Sequence, residues 1–271
     1  MQHSQQLFAD NKKLMYAWFP AMNTRVDLMI YTDAQREGLV DIAEKIKDEI
    51  CRIESFANRF DANSELSSIN INAYSKEVFV SEELFQLLSE CQLYNHQTLG
   101  YFDITVNSFH SFRAGAASIS LNKEMQAVKF LHPDVQLDLS GFIKGYSLRV
   151  VSEILKTENI ENALINAGNS SILAMGHHPF GKGWKINPLQ NNLASECILF
   201  NECLTTSGNK EDTKWPVMNP LSGKRVDKNK NVSVITADPA LGEVLSTALY
   251  VADKDEKEFI LKQFSAQEVD W

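Results

Sequence analysis

The chain of 271 residues has only four cysteines, and no two of them are separated by just two residues. Cys51 and Cys91 lie in predicted helices and Cys197 in a predicted strand, which are typical places for buried free thiols. The one pair of adjacent histidines, His177 and His178, has no cysteine or acidic neighbour and is predicted to lie in a turn. We therefore expect neither a disulfide framework nor a zinc site.

Excess positive charge and long apolar runs are also missing. The 26 lysines and arginines are outnumbered by 35 acidic residues, and the formal net charge of −9 argues against nucleic acid as a partner. No window approaches the roughly 18 apolar residues that a membrane-spanning helix needs, so we expect no transmembrane segment. Residues 1–15 contain charges that do not fit a secretory leader. We expect them to be loosely ordered and the chain to be cytoplasmic, or periplasmic or membrane-anchored if a leader was removed.

Neither of two common nucleotide-binding motifs is present in a usable form. The stretch 176–183 matches Gly-x4-Gly-Lys, but Gly183 stands where a phosphate-binding loop needs serine or threonine for magnesium. A predicted strand follows at Trp184 in place of a helix, so we predict a hairpin turn. The chain has no Gly-x-Gly-x-x-Gly sequence either, which argues against a Rossmann dinucleotide site.

An apolar run that breaks at Gly-x-x-Lys-Gly, within residues 137–146, is the most informative feature that is present. Apolar residues recur after it at helical spacing: Leu148, Val151, Ile154 and Leu155. The free N–H groups of the predicted helix would lie where the glycines admit a ligand, and Lys144 adds a positive charge there. Asp138, just upstream, could hold a polar edge of the ligand or help to position a metal. The pattern predicts an anion site, although many such turns are only tight connections.

Strand-like and helix-like patterns alternate along the rest of the chain. An alternating strand over 22–31 precedes a long amphipathic helix that runs to about Phe56, and a further strand is predicted over 135–139. The chain has no internal repeat and no obvious linker. We therefore predict an α+β fold with mixed sheets and flanking helices, formed by a single intertwined domain over residues 1–271.

The last long helix, predicted over 239–251, carries two oxygen-bearing side chains at helical spacing. Glu243 and Thr247 are four residues apart and share a face outside the apolar core stripe, so both oxygens could reach one hard cation. Without other information, a solvated glutamate and an ordinary helix threonine would explain the same spacing.

Seven segments together resemble, in order and over nearly the whole chain, the FAD:protein FMN transferases, known as the ApbE family. They are Ala-Met-Asn-Thr at 21–24, Arg-Phe with Ser-Glu-Leu within 59–66, Gly-Tyr-Phe-Asp at 100–103, the Asp to Lys-Gly-Tyr motif at 138–146, Thr-Ser-Gly at 206–208, Asn-Pro-Leu-Ser-Gly at 219–223 and Gly-Glu-Val-Leu-Ser-Thr-Ala at 242–248. Each segment alone is unspecific, but seven in the right order are not. The resemblance implies an ApbE-like, T-fold-like architecture.

The resemblance also implies a reaction and a site. Members of the family bind FAD with Mg²⁺ on its pyrophosphate, let a threonine hydroxyl of a target protein attack the FMN phosphate, and release AMP. On this resemblance Lys144 and Asp138 are the catalytic candidates, and the metal is held by the carbonyl of Gly141 and the side chains of Glu243 and Thr247. The implied cofactor-binding residues are Met22, Tyr101, Phe102, Asp103, Asp138, Lys144, Thr206, Ser207, Gly208 and Met218.

Three departures from the family pattern fall at chemical positions. Pro216 stands where members usually have a histidine, a candidate base for the threonine hydroxyl, and Asn219 stands where they have aspartate. Neither residue accepts a proton near neutral pH. Glu243 replaces an aspartate, and Asn209 and Lys210 replace an Asp-Tyr pair.

These departures leave three functions open from the sequence. The first is an active FMN transferase that uses a weaker base or relies on the metal alone. The second is a Mg²⁺-dependent FAD pyrophosphatase in which water replaces the threonine. The third is a non-enzymatic FAD-binding member of the family. The expected partners are FAD and, for the first function, a target protein with an acceptor threonine.

Overall fold

The computed structural model of the chain describes residues 1–8, 10–108, 115–187, 196–208, 217–226 and 231–269. The helices in these ranges are α1 (Leu39–Ala57), α2 (Glu65–Asn72), α3 (Glu82–Gln97), α4 (Ile143–Thr157), α5 (Pro239–Val251) and α6 (Lys254–Phe264), with a 3-10 helix at Ala116–Ser118. The strands are β1 (Gln2–Leu7), β2 (Lys12–Ala21), β3 (Thr24–Asp33), β4 (Val78–Phe79), β5 (Ile119–Asn122), β6 (Ala127–Phe130), β7 (Asn162–Ala167), β8 (Ser171–Met175), β9 (Trp184–Ile186), β10 (Cys197–Leu199), β11 (Glu202–Ser207), β12 (Met218–Asn219), β13 (Lys224–Arg225), β14 (Val232–Thr236) and β15 (Gln267–Val269). This mixture of helices and sheets confirms the predicted α+β class.

Eight of these strands form one antiparallel sheet in the order β1-β2-β3-β7-β8-β11-β14-β15. The tight hairpin between β2 and β3 turns at Met22 and Asn23, which both have positive φ as such a two-residue turn requires. β3 then pairs with β7, so that Tyr31 lies opposite Asn162. All the chain between these two strands, including α1 to α4, therefore leaves the sheet and returns to it.

Helices cover one face of this sheet. Alternate residues are buried along β2 and in the middle of β3, as expected for strands with one face on a core. Apolar residues of α1 and α4, such as Ile46 and Val151, complete that core, and α5 lies beside α4 over β11 and β14. The hairpin of β9 and β10 lies on the other face, where the Trp184 indole N–H donates to the carbonyl of Met175 (2.8 Å).

A second core lies beyond the sheet. It joins α2, α3 and the three-stranded sheet β4-β6-β5 to α5 and α6, with Phe130, Phe142 and Tyr250 fully buried in it. The first turn of α4 follows Phe142 directly and lies where the two cores meet. The packing therefore fixes the start of α4 from several sides.

Two segments differ from the sequence predictions. Within the segment 1–15, expected to be loosely ordered, residues 2–7 form β1 and residues 12–15 form the start of β2, although every side chain of β1 is exposed. Residues 135–139 were predicted as a strand, and their burial does alternate, but they form no ladder. Their N–H groups bond to side chains and loops instead, such as Leu137 N to Asn70 Oδ1 (2.7 Å) and Asp138 N to Ile104 O (2.7 Å). Among the described helices, none has the length and apolar character needed to span a bilayer.

Candidate functional site

The start of α4 is the centre of the candidate site. The helix begins at Ile143, and Phe142 at the N-cap position makes no side-chain capping bond, so Lys144 lies in an uncapped first turn. Gly145 has a different role from the one predicted, because it faces α5 and not a ligand. A Cβ added to Gly145 would lie 2.6 Å from Glu243 Cγ and 2.7 Å from the carbonyl carbon of Pro239. The glycine therefore allows α4 and α5 to pack unusually closely.

This close packing brings Lys144 and Glu243 together. The Lys144 ammonium lies 3.8 Å from Glu243 Oε1, and the hydroxyl of Ser171 donates to the same oxygen. Glu243 is only 4% exposed, and burial raises the pKa of its carboxyl group while Lys144 and Ser171 act in the opposite direction. A buried carboxylate of this kind is stabilised by a further cation.

Thr247 lies one turn beyond Glu243, as the helical spacing predicted. Its hydroxyl is 3.3 Å from the hydroxyl of Ser207, which is itself 2.9 Å from that of Ser246. A Cβ built on Gly141 would lie 3.8 Å from Thr247 Oγ1, so the backbone of Gly141 adjoins this threonine. Of the other two predicted metal ligands, Gly141 thus adjoins Thr247, and Glu243 lies one helical turn before it.

The chemistry of this donor set fits a hard cation. It offers a carboxylate, a hydroxyl and a backbone carbonyl, which are all oxygen ligands of the kind Mg²⁺ prefers. Within the described ranges there is no group of three or more histidine, cysteine, aspartate or glutamate side chains that could hold a metal. A cation here would therefore need most of its ligands from water or from a phosphate, which is the usual state of protein-bound Mg²⁺.

Asp138, the second catalytic candidate, is held in a network of its own. Its Oδ2 accepts from Arg59 Nη1 (2.9 Å) and Asn107 Nδ2 (2.6 Å), and its Oδ1 accepts from the N–H of Ser140 (2.9 Å). The Arg59 guanidinium also lies over the ring of Phe60. Asp138 therefore already has a cationic partner, which the sequence analysis did not assign to it.

Met22, the predicted cofactor residue at the β2–β3 hairpin, lies against α4 and α1. The N–H of Met22 donates to Glu54 Oε2 (2.8 Å), and its sulfur accepts from the hydroxyl of Ser147 (3.8 Å). Pro20, Ala21, Met22, Asn23, Thr24 and Glu54 line an open surface depression. Met22 thus adjoins α4 one turn after Lys144.

The segment 100–103 contributes more to the core than to a surface. Tyr101 and Phe102 are both buried in the second core, and the ring of Phe102 packs on Phe142 with centroids 6.2 Å apart. Burial raises the pKa of Asp103, whereas hydrogen bonds from the N–H and hydroxyl of Thr105, both 2.7 Å, lower it. In this arrangement Phe102 serves as packing, and Asp103 closes a local turn.

The segments after β11 and around β12 are described in part. Thr206 Oγ1 is 2.8 Å from Ser233 Oγ, and Gly208 lies against Asn231. Met218 pairs with Arg225 in the small hairpin of β12 and β13. Asn209, Lys210 and Pro216, where the sequence departs from the family pattern, lie outside the described residues.

Asn219, another departure from the family pattern, has a structural role. Its Oδ1 accepts from the N–H groups of Leu221 (2.8 Å) and Ser222 (3.0 Å), and its carbonyl accepts from Gly223 (2.8 Å). An aspartate could accept the same two side-chain bonds. Asparagine at this position therefore preserves the turn.

The contacts gather some predicted residues and leave others apart. Lys144 lies 3.8 Å from Glu243, and Thr247 lies one helical turn beyond Glu243 with its hydroxyl 3.3 Å from that of Ser207. Within the described residues no hydrogen bond or ion pair links Tyr101, Phe102, Asp103 or Met218 to this cluster. Two residues that the sequence analysis missed, Ser170 and Ser171, belong to it: Ser170 accepts from Lys144 Nζ (2.6 Å), and Ser171 donates to Glu243. The signal for them was polar residues at the start of an otherwise apolar strand.

Comparison with known proteins places this chain in a family. The model of the ApbE family matches residues 22–269. The chain is 28% identical over 242 residues to a protein of Chlamydia muridarum named FAD:protein FMN transferase, covering 76% of this chain and 75% of that protein. A protein of the same name from Klebsiella pneumoniae is 24% identical over 238 residues, covering 77% and 75%.

Solved structures share the fold. The flavin transferase ApbE from Vibrio cholerae superposes with a TM-score of 0.80 at 18% identity, covering 95% of this chain and 93% of that one. The apo form of the Pseudomonas stutzeri flavinyl transferase ApbE gives a TM-score of 0.82 at 17% identity, covering 97% and 93%. At these identities the likeness shows the architecture.

Proposed function

Because this chain belongs to the ApbE family, we propose that it transfers the FMN half of FAD to a threonine hydroxyl of an acceptor protein and releases AMP, with Mg²⁺ at the site. Curated relatives named FAD:protein FMN transferase support the flavin-transfer reaction. The observation that carries the proposal for this chain is the cluster of Lys144, Glu243, Thr247 and Gly141 at the junction of α4 and α5.

The proposed reaction needs the negative charge of the FAD pyrophosphate to be neutralised. The threonine oxygen forms a bond to the phosphorus of the FMN half, the bond from that phosphorus to the bridging oxygen breaks, and AMP leaves with that oxygen and the electron pair. Bound by Glu243, Thr247 and the Gly141 carbonyl, Mg²⁺ would supply positive charge beside the pyrophosphate. Lys144, in the first turn of α4, would add an ammonium, and the positive end of the helix would lie toward the same charge.

In this chain the threonine proton must go to an acceptor weaker than the histidine that the family usually has. The position at which the family usually has a histidine holds Pro216. Loss of one general base typically costs about 10²–10⁴-fold in rate, so we propose a slow transfer in which water or a weaker base takes the proton. The fit of Asn219 into its turn supports an intact acceptor-side hairpin.

The remaining residues are proposed to bind the cofactor. Asp138, oriented by Arg59 and Asn107, would contact FAD, and so would Met22 beside α4. Tyr101, Phe102 and Asp103 would form the wall behind the nucleotide, with Phe102 contributing through packing. Thr206, Ser207, Gly208 and Met218 would complete the pocket on the β11 and β12 side.

Mass spectrometry of the products tests this function. The protein is incubated with FAD, Mg²⁺ and a threonine-bearing acceptor fragment, and we expect an acceptor heavier by one FMN together with AMP. Free FMN with AMP and an unmodified acceptor would instead indicate a pyrophosphatase. Intact FAD with tight Mg²⁺-dependent binding would indicate a non-enzymatic FAD-binding protein.

A variant tests the assignment of the metal ligand. Glu243→Ala should abolish the Mg²⁺-dependent turnover of FAD while leaving the fold intact, because it removes the only carboxylate in the described cluster. Circular dichroism checks the fold, and Glu268→Ala, which removes a carboxylate paired with Lys257 elsewhere, is the control. Unchanged turnover in Glu243→Ala would refute the assignment.

A further inference from the structure

Two adjacent serines stand between the opposite charges of the site. The ammonium of Lys144 donates to Ser170 Oγ (2.6 Å), the two serine hydroxyls are 3.4 Å apart, and Ser171 donates to Glu243 Oε1. Because the Ser171 proton points to Glu243, its oxygen is free to accept from Ser170. The Ser170 hydroxyl can donate to Ser171 Oγ or to the carbonyl of Ala167 (3.5 Å), and in both cases the two serines link the ammonium to the carboxylate.

The two serines lie between Lys144 and Glu243, whose charged groups make no direct hydrogen bond with each other. Lys144 Nζ is within hydrogen-bond distance of Ser170 but 3.8 Å from Glu243 Oε1, which is longer than a direct charge-assisted bond. Lys144 and Ser171 both approach the same carboxylate oxygen of Glu243, Oε1. Among the described residues Oε2 makes no hydrogen bond, so this oxygen is left for another ligand.

The serines are fixed by the centre of the sheet. Ser171 is fully buried at the start of β8 and pairs with Ala167 on one side and Thr205 on the other. The carbonyl of Ser170 accepts from the N–H of Thr206 (2.8 Å). Groups on a strand that is paired on both sides hold their positions more closely than groups on a free loop.

We propose that Ser170 and Ser171 are positioning residues that hold Lys144 and Glu243 apart, so that the ammonium remains available to an anionic phosphate and Oε2 to a divalent cation. This inference rests on the proposed function, since it assumes that the two charged groups bind these ligands. In the absence of the serines, the ammonium would move onto Glu243 and compete with the cation for it.

Titration of Mg²⁺ into the protein without FAD, followed by calorimetry, measures the effect directly. Loss of an outer-shell partner of a metal ligand typically costs about 10- to 100-fold in metal affinity, and we expect a loss in this range for Ser171→Ala. The less buried Ser170→Ala should also weaken Mg²⁺ binding, and it provides a second test if Ser171→Ala folds poorly. Ser89→Ala is the matched control and should bind Mg²⁺ normally, because it removes a hydroxyl whose one hydrogen bond among the described residues is to the carbonyl of Phe85 in α3.

A double-mutant comparison isolates the role of the ammonium. If Ser170 acts by restraining Lys144, then Ser170→Ala should not weaken Mg²⁺ binding further in a Lys144→Met background, because no ammonium remains to move. An equal loss in both backgrounds would overturn the proposal. A lowered melting temperature with unchanged Mg²⁺ affinity in Ser170→Ala and Ser171→Ala would also overturn it, because it would show a purely structural role.

Binding of FAD, followed by quenching of flavin fluorescence with and without Mg²⁺, separates the two proposals. If the unaltered protein shows no Mg²⁺-dependent FAD binding, the proposed function fails and this inference fails with it. If the unaltered protein binds FAD with Mg²⁺ and the serine variants bind both equally well, only the positioning role is refuted. Weaker Mg²⁺-dependent FAD binding in both serine variants supports it.

Discussion

Substitution of Gly145 by alanine tests whether the close packing of α4 on α5 builds the site. The new methyl group would lie 2.6 Å from Glu243 Cγ and 2.7 Å from the carbonyl carbon of Pro239. Carbon atoms pack best at about 3.5–4.0 Å. The two helices would therefore have to separate locally by roughly 1 Å, or Glu243 would have to leave its position beside Lys144.

The expected cost in stability is modest, whereas the cost in activity is large. Overpacking a tight interface typically costs about 1–3 kcal/mol, and the gain in helix propensity from glycine to alanine returns up to about 1 kcal/mol. The net loss of about 1–2 kcal/mol should lower the melting temperature by only a few degrees. A displacement of about 1 Å in a catalytic arrangement can reduce the rate by about 10²-fold.

The assay compares the rate of FMN transfer with the melting temperature for the unaltered protein and three glycine variants. Gly141→Ala adds a methyl group 3.8 Å from Thr247 Oγ1, an ordinary contact, and should melt like the unaltered protein. Gly181→Ala, whose nearest neighbour is 3.4 Å away in a surface turn, should leave both quantities unchanged. If Gly145→Ala kept full activity and full stability, the argument that this glycine sets the geometry of the site would be refuted.

Three further predictions address the surroundings of the site. Asn219→Asp should keep both activity and melting temperature because aspartate accepts the same two turn bonds, whereas Asn219→Ala should lose about 1 kcal/mol in chemical denaturation; equal melting of all three proteins would contradict this role. Burial raises the pKa of Asp103, so its ionisation destabilises the fold as pH rises from the ordinary aspartate pKa through the raised one. Asp103→Asn should therefore be more stable than the unaltered protein at neutral pH and show a flatter pH profile of unfolding. A less stable variant would indicate that the charge is needed. Arg149 donates to Glu90 and to Asp238, the residue that caps α5, so Arg149→Met should destabilise the protein by about 2 kcal/mol, less than a fully buried pair would cost; an unchanged denaturation midpoint would show that the network is solvated.

Local patterns in the sequence predicted the parts of the site that depend on one helix. Glu243 and Thr247 are four residues apart, and a helix places such residues side by side whatever the rest of the fold does. The start of α4 was predicted from the apolar spacing after Lys144, and the family resemblance supplied the order of the segments. The spacing of Glu243 and Thr247 and the start of α4 both depend on residues close in sequence.

The parts that depend on distant contacts were not predicted. Ser170 and Ser171 acquire their role only because β8 is paired with β11 and lies under α5, which no local pattern reports. Alternation over 135–139 was read as a strand, but alternate burial also arises in an extended segment held by side chains such as that of Asn70. Gly145 was interpreted as a ligand contact because its close neighbour, α5, is far away in the sequence.

The pairing of β3 with β7 has a consequence for how the protein is made. Tyr31 finds its partner Asn162 only after four helices have been synthesised, and the closure of such a long loop makes this pairing a slow step. Glu243 is synthesised later than Lys144, because it follows almost a hundred residues further along the sequence. On the ribosome, a chain whose α5 has not yet emerged carries the ammonium without its carboxylate, so the proposed cation site cannot form until α5 emerges and docks.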